Sequence, residues 1–331
     1  MASFKTDSSP LNGSVTRESV IRIDRASTFV DAVLAATPLL GILFNLWLGS
    51  LTPVVVIGGV AAFVVLRYER VPQILMSSWP LLLLPIFCLA SASWSQEPGN
   101  TLYYGTLYFV TVISAVLLGA GAQPLAVLKG VFSAFSFYTL CSVMFGRWVL
   151  WNDGDYAYAG LAGSKNAAGD TAALTILLAS TMLVWALARR RWAWVFAALA
   201  TLPLALYCLV FSRATGVLIA TMISLPCLLL WIYSRRMERQ MRVLSFAMGL
   251  TVLVGLVATS PYWIQTVFDF VLAETGKDAG LTGRALLWRV ADDLIARNPW
   301  LGTGYNAFWI HGNLDAERLW REMGISTRQG F

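Results

Sequence analysis

The sequence predicts an all-α, polytopic membrane protein of about nine transmembrane helices followed by a partly helical tail. Three observations carry this. First, the 331 residues are 57% hydrophobic and only 13% charged, with a mean hydropathy of +0.66, whereas globular chains carry roughly 25% charged residues. Second, Asp31 alone brings charge into residues 28–66, and residues 101–128, 192–212, 214–234 and 243–268 contain none; stretches of about 20 apolar residues cross a bilayer. Third, lysine and arginine concentrate in alternate loops. This composition excludes a single-span receptor, a secreted disulfide scaffold and a nucleic-acid-binding domain, despite a pI near 9.3.

Residues 1–27 are polar and mixed in charge, without the apolar core of a signal peptide, and are expected to form a short disordered arm on the inner side. Residues 28–260 then divide at their polar interruptions into spans near 29–49, 51–66, 74–93, 101–119, 124–146, 168–188, 192–211, 214–233 and 243–260. Proline and glycine mark the early junctions: Leu51-Thr-Pro53, Ser95 to Asn100 and Ala122-Gln-Pro124. With the N-terminus inside, the inner loops hold Arg67, Arg70, Lys129, Arg189 to Arg191, Arg235, Arg236, Arg239 and Arg242. The outer loops before residue 261 hold only Arg147, Lys165 and Arg213, a distribution that follows the positive-inside rule.

An odd number of spans places residues 261–331 outside. Within this tail, residues 266–274 could lie along the membrane surface. A second helix is expected from Thr282, its apolar face built from Leu287, Val290, Ala291, Leu294 and Ile295, with Arg289/Asp293 and Asp293/Arg297 spaced as i,i+4 pairs and Asn298-Pro299 as its end. Cys88, Cys141, Cys208 and Cys227 lie in or beside apolar runs without metal or redox spacing, and read as small hydrophobes. No cofactor or metal is expected.

Few ionisable groups remain to carry chemistry. Arg213, in the outer turn between spans seven and eight, reads either as an interface arginine that snorkels or as an anion ligand at the mouth of a helix bundle. Arg284 follows Thr282-Gly283, where a helix N-terminus already favours a negative ligand; otherwise it is a solvated first-turn charge. Two outer arginines suit a diphosphate, because each guanidinium offers paired planar donors. Gly160 to Gly169 opens span six with Lys165 and Asn166, which either serve close helix packing or add phosphate and sugar contacts. Asp170 is a first-turn dipole partner or a site acid, and Asp31 a helix-start residue near the inner interface. Trp288, Trp300, Tyr305, Phe308 and Trp309 crowd the tail, as Trp148, Trp151, Tyr156 and Tyr158 crowd the loop after span five. Aromatic belts or carbohydrate stacking would explain both. His311, the single histidine, reads as incidental.

Taken together, Ser93-Trp-Ser95 with Thr101-Leu102, Gly163-Ser-Lys-Asn166, Ser212-Arg213, and above all Thr282-Gly-Arg284, Trp288 and Asn298-Pro-Trp-Leu-Gly-Thr-Gly-Tyr305 resemble the O-antigen ligase and exopolysaccharide polymerase family. The resemblance implies a bacterial inner-membrane, metal-independent, inverting glycosyltransferase with a cytoplasmic N-terminus and a periplasmic tail. Such an enzyme joins a polyprenyl-diphosphate-linked oligosaccharide to a glycan acceptor; the rival reading is a nonenzymatic polysaccharide transporter or flippase subunit. Arg213 and Arg284 match the arginines that hold the diphosphate, with Lys165, Asn166, Trp288 and Tyr305 as further substrate contacts. The family's His-Asn pair, expected to activate the acceptor, has no match by spacing in His311-Gly-Asn313. The general base is therefore expected beyond Phe331, in a chain that looks truncated at its C-terminus and inactive by itself.

Overall fold

The computed structural model describes residues 17–152, 155–235, 237–275 and 284–322. Among them, eight helical stretches are long and apolar enough to cross a membrane, and Thr28–Leu43 is a shorter apolar one, in line with about nine predicted spans.

The first helix, α1 (Arg17–Leu43), begins well before the apolar run, so residues 17–27 are helical rather than a disordered arm. It ends before Phe44, and α2 (Asn45–Leu48), a 3-10 turn at Gly49–Leu51 and α3 (Thr52–Leu66) follow. The predicted break at Leu51-Thr-Pro53 therefore moves back to Phe44 and to Gly49, whose φ of 50° suits a helix stop. Pro53 instead sits in the first turn of α3, where its missing N–H costs nothing. Prolines also fragment the third span into α4 (Val71–Ser78) and α5 (Leu83–Ala90), separated by a 3-10 turn containing Pro80. Next come α6 (Pro98–Gly121) and α7 (Pro124–Phe145), each opened by its proline.

After α7 the all-α fold, which holds for the chain as a whole, admits one local exception. Arg147–Asn152 (β1) and Asp155–Gly160 (β2) form an antiparallel hairpin. Its aromatic and β-branched residues satisfy strand preferences that a hydropathy count does not see. The bundle resumes with α8 (Lys165–Ala188), α9 (Trp192–Phe211) and α10 (Thr215–Ser234). The helix α11 (Arg239–Thr275) runs for 37 residues through Pro261 without interruption. At 1.5 Å per residue it is about 55 Å long, beyond the roughly 30 Å hydrocarbon core. Residues 266–274 thus continue a spanning helix rather than forming a separate surface piece. In the tail, α12 (Arg284–Arg297) and α13 (Leu314–Glu322) follow. Thr282, the expected cap of α12, lies outside the described residues.

Small residues let the helices approach closely. A Cβ on Gly130 of α7 would lie 2.2 Å from the Ala32 carbonyl of α1, and one on Gly59 of α3 would lie 2.7 Å from Pro38 of α1. The alternating helices bring the basic loops to one end of the bundle. There Asp31, fully buried, meets Arg67 at 2.8 Å and accepts from the Gln123 backbone N–H at 3.2 Å. Arg70 donates to the Gly121 carbonyl at 3.1 Å. Asp31 is accordingly not a helix-start residue: it lies in the body of α1 and ties that helix to the end of α3 and to the α6–α7 turn.

Candidate functional site

The opposite end carries the β-hairpin, the start of α8, the α9–α10 turn and the tail, and it is here that the sequence-predicted site residues lie. The hairpin is fixed first. Tyr158 inserts its ring among Trp148 and Tyr207, at centroid distances of 5.4 and 5.6 Å, and donates its hydroxyl to the Ser142 carbonyl at the end of α7. Burial pushes that hydroxyl up to about 12. A Cβ on Gly160, at φ 57°, would strike Ser142 Oγ, so only glycine lets the strand return this closely to α7. From the aromatic crowd after span five, Trp148 and Tyr158 thus pack into a raft joining hairpin, α7 and α9, with Trp148 also edge-on to Phe211, whereas Tyr156 is exposed.

The start of α8 is built on Ser164, whose Oγ accepts from the Ala167 N–H at 3.2 Å. Gly169 permits contact with the α9–α10 turn: a Cβ there would be 2.8 Å from Ala214 and 3.1 Å from Ser212 Oγ. Ser212 is fully buried and closes that turn by donating to the Leu209 carbonyl at 2.7 Å and accepting from Ala214 N–H at 3.3 Å. Between them Arg213 takes φ 50°, a left-handed conformation uncommon for a side-chain-bearing residue and one often held at functional sites. Its guanidinium donates to Asp155 of the hairpin at 3.1 Å, and both side chains remain about half exposed, at 46% and 59%. Lys165 begins the same helix as Gly169, with its Nζ secluded from solvent; Asn166 and Asp170 are exposed. Below Asp170 an apolar groove of about 480 Å³ runs between α8 and α10, past Leu174, Val217 and Thr221.

The tail motif docks elsewhere on this end. Trp94 Nε1 donates to the Leu301 carbonyl at 2.9 Å, and Gln96 N–H to the Thr303 carbonyl at 3.3 Å. The Tyr305 N–H donates to Ser91 Oγ at 2.9 Å, and its carbonyl accepts from Thr101 Oγ1 at the same distance. The Tyr305 ring stacks on Tyr108 of α6 at 5.7 Å. Burial, followed by the neighbouring Cys88 and Tyr108, raises the Tyr305 hydroxyl above its ordinary value. Gly304, at φ 102°, presses against Ser95, where a Cβ would come within 2.5 Å. The Pro299 to Tyr305 segment is thus a clasp that fastens the tail to the α5–α6 turn, and its glycines answer to backbone geometry.

Further along, α12 and α13 are joined by Arg297 and Asp315 at 3.1 Å. Among the described residues no ion pair links Arg289 or Arg297 to Asp293, so the expected i,i+4 pairs give way to this tertiary one. Asn313 caps α13, His311 rests on the Trp320 ring at 5.5 Å, and Trp309 stacks on Trp320 at 6.0 Å. Trp288 is 61% exposed on α12. The side chain of Arg284 lies outside the described residues, so only its place at the start of α12 is defined. The structure thus joins Arg213 to the Lys165 end of α8, and Tyr305 to the Ser91–Thr101 segment. Asp155, Ser91 and Tyr108 were absent from the sequence reading. They act on partners 58, 214 and about 200 positions away, and no local motif marks such pairs.

Residues 200–327, from α9 to the tail, match the family model described as O-antigen ligase. The chain is also 32% identical over 248 residues to the exopolysaccharide production protein ExoQ of Rhizobium meliloti (strain 1021). That match covers 74% of this chain and 56% of the relative, so the chain spans about half the length of the curated protein it resembles. No solved structure matches it. The O-antigen ligase match takes in both Arg213 and the Pro299 to Tyr305 clasp, and with the ExoQ likeness it establishes that this polytopic membrane protein belongs to the O-antigen ligase and exopolysaccharide polymerase family.

Proposed function

We propose that the chain takes part in transferring a polyprenyl-diphosphate-linked oligosaccharide to a glycan acceptor at the periplasmic face of the inner membrane, as an exopolysaccharide polymerase or ligase. The observation that carries this reading is Arg213: a cation held in a left-handed turn at the mouth of the bundle, where it meets an exposed hairpin carboxylate. An anionic ligand can take the place of such a partner at small cost. Arg284 is the second diphosphate ligand in this reading, and Lys165, Asn166, Trp288 and Tyr305 are substrate contacts. The arginines neutralise charge developing on the departing diphosphate, an electrostatic task for preorganised donors, while a general base deprotonates the incoming hydroxyl. The name of the R. meliloti relative favours exopolysaccharide as the product class. The end rich in Arg189 to Arg191 faces the cytoplasm, as the positive-inside rule requires.

The test is Arg213→Lys and Arg213→Ala in the gene as the cell carries it. Both should reduce polymer by about 10²-fold or more, the effect of losing one preorganised donor, and lipid-linked oligosaccharide should accumulate on the outer leaflet. Wild-type polymer length in Arg213→Ala would overturn the assignment. A reporter fused after Arg191 that reads periplasmic would overturn the orientation.

A further inference from the structure

The basic end holds a cluster whose arrangement exceeds what topology requires. Lys129, one turn into α7, places its Nζ 5.2 Å from the centroid of Trp185 on α8 and 5.7 Å from that of Trp194 on α9. Trp194 is itself set edge-on against Phe132 at 6.1 Å, beside the buried Met182 and Ala198. Directly adjacent in sequence, Arg189, Arg190 and Arg191 form the α8–α9 turn, and all three are exposed. The turn is tight: Arg190 adopts φ 51°, and the Arg191 N–H donates to the Ala186 carbonyl at 2.9 Å. The Trp194 backbone N–H donates to the Arg191 carbonyl at 3.0 Å, so the indole beside Lys129 follows directly from this turn. Among the described residues, no carboxylate pairs with any of these four cations.

The positive-inside rule asks for lysine and arginine somewhere in this loop. It does not ask that a lysine from another helix be drawn to the same turn and held between two indoles. Like charges gathered without a counter-ion repel, and cation–π contact relieves only the lysine. Below the turn, Trp192, Phe196 and Leu199 on one side of α9 are 61%, 67% and 50% exposed, an apolar stripe leading from the cations toward the membrane interior. Cations at headgroup depth, indoles at the interface and an apolar track beneath match one ligand chemistry: a phosphodiester anion attached to acyl chains.

We propose that Lys129 and the Arg189–Arg191 turn bind the headgroup of an anionic glycerophospholipid in the adjacent leaflet, with an acyl chain along Trp192, Phe196 and Leu199. The site lies at the end of the bundle away from Arg213 and does not depend on the glycan reading. The test uses the full chain, purified in detergent and offered equal amounts of phosphatidylglycerol and phosphatidylcholine, with retained lipid counted by native mass spectrometry. Phosphatidylglycerol should be retained preferentially. Lys129→Gln and the surface change Arg191→Gln should each lower its retention about fivefold, the effect of one interfacial cation, with phosphatidylcholine unchanged and Lys129→Arg close to wild type. Equal retention of the two lipids, or a preference that survives both charge-removing variants, would overturn the proposal. So would inorganic phosphate displacing phosphatidylglycerol at equal concentration, which would assign the cluster to a free anion.

Discussion

Two aspartate–arginine pairs, one at each end of the bundle, have similar lengths and opposite consequences. Asp31 and Arg67 meet at 2.8 Å with side-chain exposures of 1% and 22%, and Asp155 and Arg213 at 3.1 Å with exposures of 59% and 46%. The buried carboxylate has left water and must keep both its guanidinium and the Gln123 N–H, since a lone buried charge is costly. The exposed pair has given up little solvation and gains correspondingly little. Position therefore decides role: the first pair fastens α1, α3 and the α6–α7 turn, and the second leaves a guanidinium oriented and half exposed at the mouth of the bundle, where the diphosphate site is proposed.

The largest effect expected from breaking this contrast is at Asp31. Asp31→Ala should destabilise the bundle by about 3 kcal/mol, because it strands the Arg67 charge among packed helices; denaturant titration in detergent measures it, and a loss below about 1 kcal/mol would show that the two pairs are alike. An intermediate and local effect is expected at Gly304→Ala. A side chain at φ 102° against Ser95 should cost about 1–3 kcal/mol and open the clasp, seen as faster hydrogen exchange at the Gln96 and Tyr305 amides while the melting of the helices is unchanged. Undiminished protection at those amides would show that the clasp does not hold the tail. The smallest effect belongs to Asp155→Ala, which should change stability by no more than about 1 kcal/mol. A cost above about 2 kcal/mol in the same titration would make that pair structural and weaken the case for Arg213 as a ligand.

Legibility followed the range over which each feature is encoded. The spans could be read from composition, since a bilayer requires long apolar stretches whatever their neighbours. Arg213 stood out because so few ionisable groups occur near the outer ends of the helices. The hairpin at Arg147 to Gly160 is not legible in hydropathy, because its strands depend on Tyr158 finding Ser142, Tyr207 and Trp148. Hydropathy ends the ninth span near residue 260, whereas α11 continues through Pro261 to Thr275. Membrane helices tolerate proline more readily than soluble ones. The tail residues Arg297 and Asp293 carried a local i,i+4 signal that lost to a tertiary partner, Asp315.

By itself, then, the sequence determined that this is a polytopic helical protein, which of its loops share an end, and which cations and glycine-rich segment deserve notice. These follow from hydrophobic length, charge alternation and backbone-restricted residue types, all properties of contiguous chain. Only the tertiary structure decided that Asp31 is a buried tie, that Asp155 is the partner of Arg213, that Gly304 exists to meet Ser95, and that Lys129 joins the Arg189–Arg191 turn between two tryptophans. Each of those depends on which helices lie side by side. That choice is made by close contacts such as Gly130 on Ala32 and Gly169 on Ala214, where the energy arises from shape complementarity between distant segments that no local pattern records.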